Sequence, residues 1–155
     1  MGKDRSSLNR VEEEHRELRA LVGKISSHLE EDRGEPRDQD AQGWSATLAE
    51  MLVQLHHKLF LHFRGEEGSG ALDELVERFP RAHRAIEVLR SDHDRILEDL
   101  RAVLSSAVLY AGGRPPEVGQ LRHWTQTVLD ELSRHEHEET DLIQRLHTQD
   151  LGVGD

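Results

Sequence analysis

A chain of 155 residues, 35% apolar and 33% charged, is the size of one domain with a modest core. Its 20 basic residues against 31 acidic ones give a formal charge of −11, which argues against nucleic acid or an anionic membrane as a main partner, because both need a basic footprint. The absence of Cys excludes disulfides, thiolate metal sites and thiol catalysis, and with no run near ~18 apolar residues and no apolar leader in MGKDRSSLNR, a soluble cytoplasmic domain is expected.

The first predicted helix carries its apolar stripe at Leu8, Val11, His15, Leu18, Val22, Ile25 and Leu29, at alternating intervals of three and four residues. A polar stretch from Glu31 to Gly43, containing Gly34 and Pro36, ends it. The second stripe is Leu48, Leu52, Leu55, Leu59, His62 and Glu66, entered through Trp44. Gly65, Gly68 and Gly70 mark the next break, after which Ala71 to Phe79 is predicted as a short extra helix before Pro80. The third stripe reads Ile86, Leu89, His93, Ile96, Leu100, Val103 and Ala107. After Gly112, Gly113, Pro115 and Pro116, the fourth reads Leu121, Thr125, Val128, Leu132, His135, Glu139, Leu142 and Leu146. No segment alternates with period two. The pattern predicts an all-α, up-down-up-down antiparallel four-helix bundle, forming one domain over residues 1–155 with its core at about 8–148.

The stripes are apolar except at a few positions. His15, His62 with Glu66, His93, and His135 with Glu139 stand where a bundle normally places Leu. Of the 11 histidines, four fall on a stripe, one on each helix. In an antiparallel bundle these positions lie toward one end. His15 and His93 stand about two to three turns inside their helix starts, and His135 about three turns before its helix end. The spacing of four residues in His62/Glu66 and His135/Glu139 puts each pair on one helical face, where both side chains can reach one metal. Four imidazoles and two carboxylates exceed the needs of one tetrahedral zinc but suit two octahedral-leaning ions. Carboxylate bridges would hold such ions about 3.5–4 Å apart. Nitrogen-rich ligation without thiolate favours iron over calcium or magnesium.

This order, a lone His, then His-x-x-x-Glu, then His, then His-x-x-x-Glu, resembles the hemerythrin-like (HHE cation-binding) family. The local strings HFRGEEG, SDHDRIL and RHEHEETDLI agree with it. The resemblance implies a non-haem centre of two iron ions with an oxo or hydroxo bridge. Such a centre handles dioxygen, nitric oxide or peroxide, in oxidative or nitrosative stress or in oxygen sensing. Oxygen carriers place two histidines one turn apart on the third helix and an Asp on the fourth. This chain has Leu89 and Leu97 around His93, and it has Glu139. It is closer to the four-His, two-Glu relatives. With Glu66, Glu139 and a solvent oxygen bridging, a sixth position would stay open on each iron, which favours reactive chemistry over clean carriage. Repair-type relatives carry a Cys-containing extension that this sequence lacks. The expected partner is a small diatomic molecule or peroxide, and no motif specifies a protein partner.

The competing reading is a metal-free or mononuclear structural bundle. Against it stands the cost of burying four imidazoles and two carboxylates with no metal, several kcal/mol. His56 and His57 are expected on a solvated helix edge, His137 beside Glu136 or Asp141, and His28, His83, His123 and His147 on the surface. Glu67, Glu138 and the run Glu12 to Glu14 are expected to face solvent. Trp44, Trp124 and Tyr110 are expected to close the far end as an apolar base. Leu18, Leu59, Phe63, Leu89, Leu97, Leu132 and Leu142 are candidates to line the site. Zincin, phosphate-loop and ferritin-like patterns do not fit.

Overall fold

The computed structural model describes the backbone of residues 2–31, 38–112 and 118–153, with side chains over 12–31, 41–112 and 118–148. Among these, the chain forms α1 (Gly2–Glu30), α2 (Asp38–Gly68), α3 (Ala71–Arg78), a 3-10 turn (Pro80–Ala82), α4 (His83–Ala111) and α5 (Val118–Val153), with no strand. There are thus five α-helices: the four long ones expected, and α3 as the short extra one. The side chains of Leu8 and Val11, and the connection holding Gly113, Pro115 and Pro116, lie outside the described residues.

One glycine departs from a simple reading of the residue as a breaker, and another fits it. α2 continues through Gly65 to Gly68, because the penalty of roughly 1 kcal/mol for an interior Gly is small beside the burial of the flanking stripe. The reversal falls at Gly70, whose φ of 76° is left-handed and suits a residue without Cβ. From there α3 turns inward and buries Leu72.

The stripes become the core. Leu48, Leu52, Leu55, Leu59, Ile86, Ile96, Leu100 and Leu121 are completely buried. Helix pairs run in opposite senses. Along α1 and α2, Glu17 meets Lys58 and His28 meets Trp44. Along α2 and α4, Glu67 meets His93 and His56 senses Arg101. Along α4 and α5, Asp92 meets His135 and Asp99 meets Glu131.

The apolar interior forms two clusters. The larger one fills the body, from Trp44 and Leu121 to Leu59, Phe63, Ile96 and Leu132. The smaller joins Leu72, Ala82, Ile86, Leu89, Leu142 and Leu146, with Leu75, Val76 and Phe79 of the α3 region packed on it. His93 on α4 lies between Leu89 and Ile96, one from each cluster, and His135 with Glu139 on α5 lies between Leu132 and Leu142. A polar layer therefore sits between two apolar plugs, and α3 caps the outer one.

At the far end, Trp44 stacks on His28 with centroids 5.1 Å apart, and the two exchange side-chain-to-backbone hydrogen bonds of 3.0 and 3.1 Å. Tyr110 packs half-buried against the same core, as expected of an apolar base. Trp124 does not: it is 37% exposed. His28 is half-buried by its stack on Trp44, which corrects its expected surface placement.

Candidate metal centre

Each helix brings its candidate ligand to the polar layer by the periodicity that builds the core. α1 supplies His15, α2 supplies His62 and Glu66, α4 supplies His93, and α5 supplies His135 and Glu139. They gather as two triads, His15/His62/Glu66 and His93/His135/Glu139, whose donor atoms lie within 4.8 Å of one another in each. Glu66 links the triads: its Oε1 is 2.6 Å from His62 Nε2 and its Oε2 is 3.3 Å from His93 Nε2. Glu139 Oε2 is 3.3 Å from His135 Nε2. His62, His93 and His135 are buried, while His15 is half-buried.

The donor atoms face inward with too few protein partners. Nε2 of His93, Nε2 of His135 and both carboxylate oxygens of Glu66 are buried and make no well-aligned hydrogen bond. Nε2 of His15 and Nε2 of His62 approach to 3.1 Å. Two imidazole lone pairs and a carboxylate oxygen cannot converge in this way without a cation or a proton between them. Buried polar groups are ordinarily paired, so this concentration of inward lone pairs is what a metal site looks like from the protein side. The residues fit a metal ion in each triad, with Glu66 placed to touch both.

Outward, three of the rings meet carboxylates from a neighbouring long helix. His62 Nδ1 is 3.0 Å from Glu14 Oε2, His93 Nδ1 is 3.2 Å from Glu67 Oε1, and His135 Nδ1 is 3.5 Å from Asp92 Oδ2. A carboxylate there favours the tautomer with hydrogen on Nδ1, which leaves the Nε2 lone pair aimed into the pocket. Glu67 is exposed, as expected, while reaching His93; Glu14 is half-buried against His62, and Asp92 is buried. All three sit one residue from a ligand: Glu14 before His15, Glu67 after Glu66, Asp92 before His93. One residue is ~100° around a helix, so a neighbour of an inward ligand falls on the flank that meets the next helix. That offset is the signal by which the sequence could have revealed them.

The carboxylates of the layer shift the titration of the imidazoles they meet. For His62, burial depresses the pKa, but the hydrogen bond and charge of Glu66, then Glu14, outweigh it and raise it to about 9. His135 is raised in the same way, against burial, by Glu139 and Asp92. Burial pushes Glu66 upward, yet its contacts with His62 and His93 hold it well below the usual carboxylate range. Glu136 is raised by burial, partly offset by His15 and His62.

Phe63 lines the layer, flat on His93 and edge-on to His135. His56 is half-buried on α2 with its Nε2 enclosed and unpaired, which corrects its expected place on a solvated edge. Burial, then Arg101 and His57, lower its pKa. His57, His83, His123, His137 and His147 are exposed, as expected. Among the described residues, no helix is long and apolar enough to cross a membrane.

No curated protein and no solved structure matches the chain. The family model described as the hemerythrin HHE cation-binding domain does, over residues 6–146, and the chain belongs to that family.

Proposed function

We propose that this protein holds two iron ions in the polar layer and takes dioxygen, nitric oxide or peroxide there. The carrying observation is the convergence of six donor side chains from four helices, among which His93, His135 and Glu66 have buried donor atoms with no well-aligned hydrogen bond. The architecture we infer is an up-down-up-down bundle of α1, α2, α4 and α5 forming one domain. The opposed helix pairs support it. A cytoplasmic setting is part of the same proposal.

In this reading His15, His62, His93 and His135 would offer imidazole nitrogens, and Glu66 and Glu139 carboxylate oxygens, to the two ions. When bound, the iron pair would supply affinity for small oxidants and the electrons to reduce them. The chain's own contribution is positional. Glu14, Glu67 and Asp92 hold three rings with their lone pairs inward, and Glu66 spans the triads. Phe63, Leu59, Leu89, Leu132 and Leu142 wall the layer with apolar surface that keeps bulk water out. Ligand sets short of fully coordinating two octahedral ions leave room for an exogenous molecule, which favours a reactive or sensing role over a structural one.

Elemental analysis of freshly purified protein, with its visible spectrum before and after degassing, tests the proposal. Near-stoichiometric iron at two per chain and an absorption band that responds to oxygen, nitric oxide or peroxide are expected. Reversible loss of the band on degassing identifies a binding or sensing protein, and sustained consumption of peroxide or nitric oxide an enzyme. Protein that purifies without transition metal and takes up none identifies a structural bundle and overturns the proposal.

A further inference from the structure

The two triads are unequally built. In His93/His135/Glu139, both imidazoles are 2% exposed and both have a carboxylate at Nδ1, Glu67 for His93 and Asp92 for His135. Asp92 is itself anchored, its Oδ1 accepting from Arg95 Nη2 at 2.8 Å. Phe63 stacks on the first ring at 4.0 Å and meets the second edge-on at 5.6 Å, so neither can swing without disturbing the core. In His15/His62/Glu66, only His62 has a carboxylate at Nδ1, from Glu14. Among the described residues no carboxylate is hydrogen-bonded to Nδ1 of His15, which is half-buried, although Glu136 of α5 acts on it through its charge. A groove of about 300 Å³ between α1 and α2, with His57 and Lys58 on its wall, exposes the outer edge of His62 beside Glu14.

A carboxylate at Nδ1 fixes the metal-ready tautomer, restrains the ring and strengthens it as a donor, and losing one typically weakens metal binding about 10–100-fold. Donors already locked by packing also lose less freedom on binding than mobile ones. Both differences point the same way. We propose that the two metal positions are unequal: the His93/His135/Glu139 position fills first and retains its ion. The His15/His62/Glu66 position fills second and gives up its ion more readily. The inference rests on the metal-binding reading above and adds an order to it.

The test is a titration of cobalt(II) into the metal-stripped full chain. It is followed by cobalt's visible absorption and by counting bound ion after dialysis, with circular dichroism confirming the fold of each variant. Two uptake events separated by about tenfold or more in affinity are expected. His15→Ala removes the weaker event and leaves the tighter one. Glu14→Gln weakens only the weaker event, and Asp92→Asn weakens the tighter one by about 10–100-fold. Glu13→Gln, which removes an equal charge from the exposed flank of α1, changes neither. Two equal events in the unaltered chain, or loss of the tighter event in His15→Ala, overturns the order while leaving the metal reading intact. No cobalt uptake by the unaltered chain overturns the metal reading itself. Should Asp92→Asn fail to fold, His15→Ala and Glu14→Gln decide the matter without it.

Discussion

Phe63 lies flat against the imidazole of His93, with ring centroids 4.0 Å apart and planes 7° from parallel. This contact joins the larger apolar cluster to the polar layer, because Phe63 is 3% exposed and belongs to the core while His93 belongs to the site. Phe63→Ala should therefore act on both. A cavity at this position should cost about 3–5 kcal/mol in urea unfolding, and the same variant should retain less metal after dialysis. A loss below about 1 kcal/mol with metal content unchanged would show that the contact supports neither the core nor the site.

Neighbouring histidines on α2 give a sharp comparison. His62 is buried with its Nε2 2.6 Å from Glu66, whereas His57 is exposed. His62→Ala should lose the ion of the His15/His62/Glu66 position while the other is kept, and His57→Ala should leave metal content as it was. The opposite result would mean that the register of the α2 stripe has been misassigned.

Acidity should separate the metal-free and metal-bound forms. In the metal-free protein the pKa of His62 is raised from 6.5 to about 9, so its stabilising contribution is complete below 6.5 and is lost as pH rises through about 9. Glu66 is shifted the other way from 4.5, so its contribution is present above 4.5 and is lost only deep in acid. The pair therefore stabilises the metal-free form most between 4.5 and 6.5. A metal ion must displace the proton on His62, so its affinity should climb from pH 6.5 to 9 while metal-free stability falls. Thermal unfolding with and without cobalt(II) at pH 5.5 and 8.5 checks this, with a larger cobalt-induced rise in Tm expected at the higher pH. A cobalt effect that shrinks on going to pH 8.5 contradicts protonated His62 as the competitor.

At the other end, Trp44 Nε1 donates to the carbonyl of His28 at 3.1 Å. Trp44→Phe keeps a ring against His28 but strands that carbonyl. It should lower stability by about 1–3 kcal/mol through the unpaired group and lost volume, without altering metal content. A change in metal uptake in this variant would show that the two ends are coupled.

The helical stripes were legible because burial follows a 3.6-residue period whatever the partner helix is. Leu52, Ile96 and Leu121 are buried for that reason. So was the set of candidate ligands, since His15, His62, His93 and His135 occupy stripe positions and an inward position on a helix is a property of the local chain. The contacts that flank the site have a different origin. Glu14, Glu67 and Asp92 stand beside the stripe, where a carboxylate meets water, a neighbouring imidazole or, as exposed Glu67 does, both, depending on how closely the next helix approaches. His56, His28 and Trp124 lie on similar flanks, and their exposure depends on what the neighbouring helices bring beside them, as Trp44 stacking on His28 shows.

Residue order alone thus settled which side chains point toward the middle, because backbone geometry carries that information within a single helix. The inequality of the two triads came only from the packed molecule. It depends on which flank carboxylate reaches which ring and on where Phe63 and the α1–α2 groove fall. Those are distances between residues tens of positions apart, set when four long helices and α3 find one mutual arrangement that buries the most apolar surface.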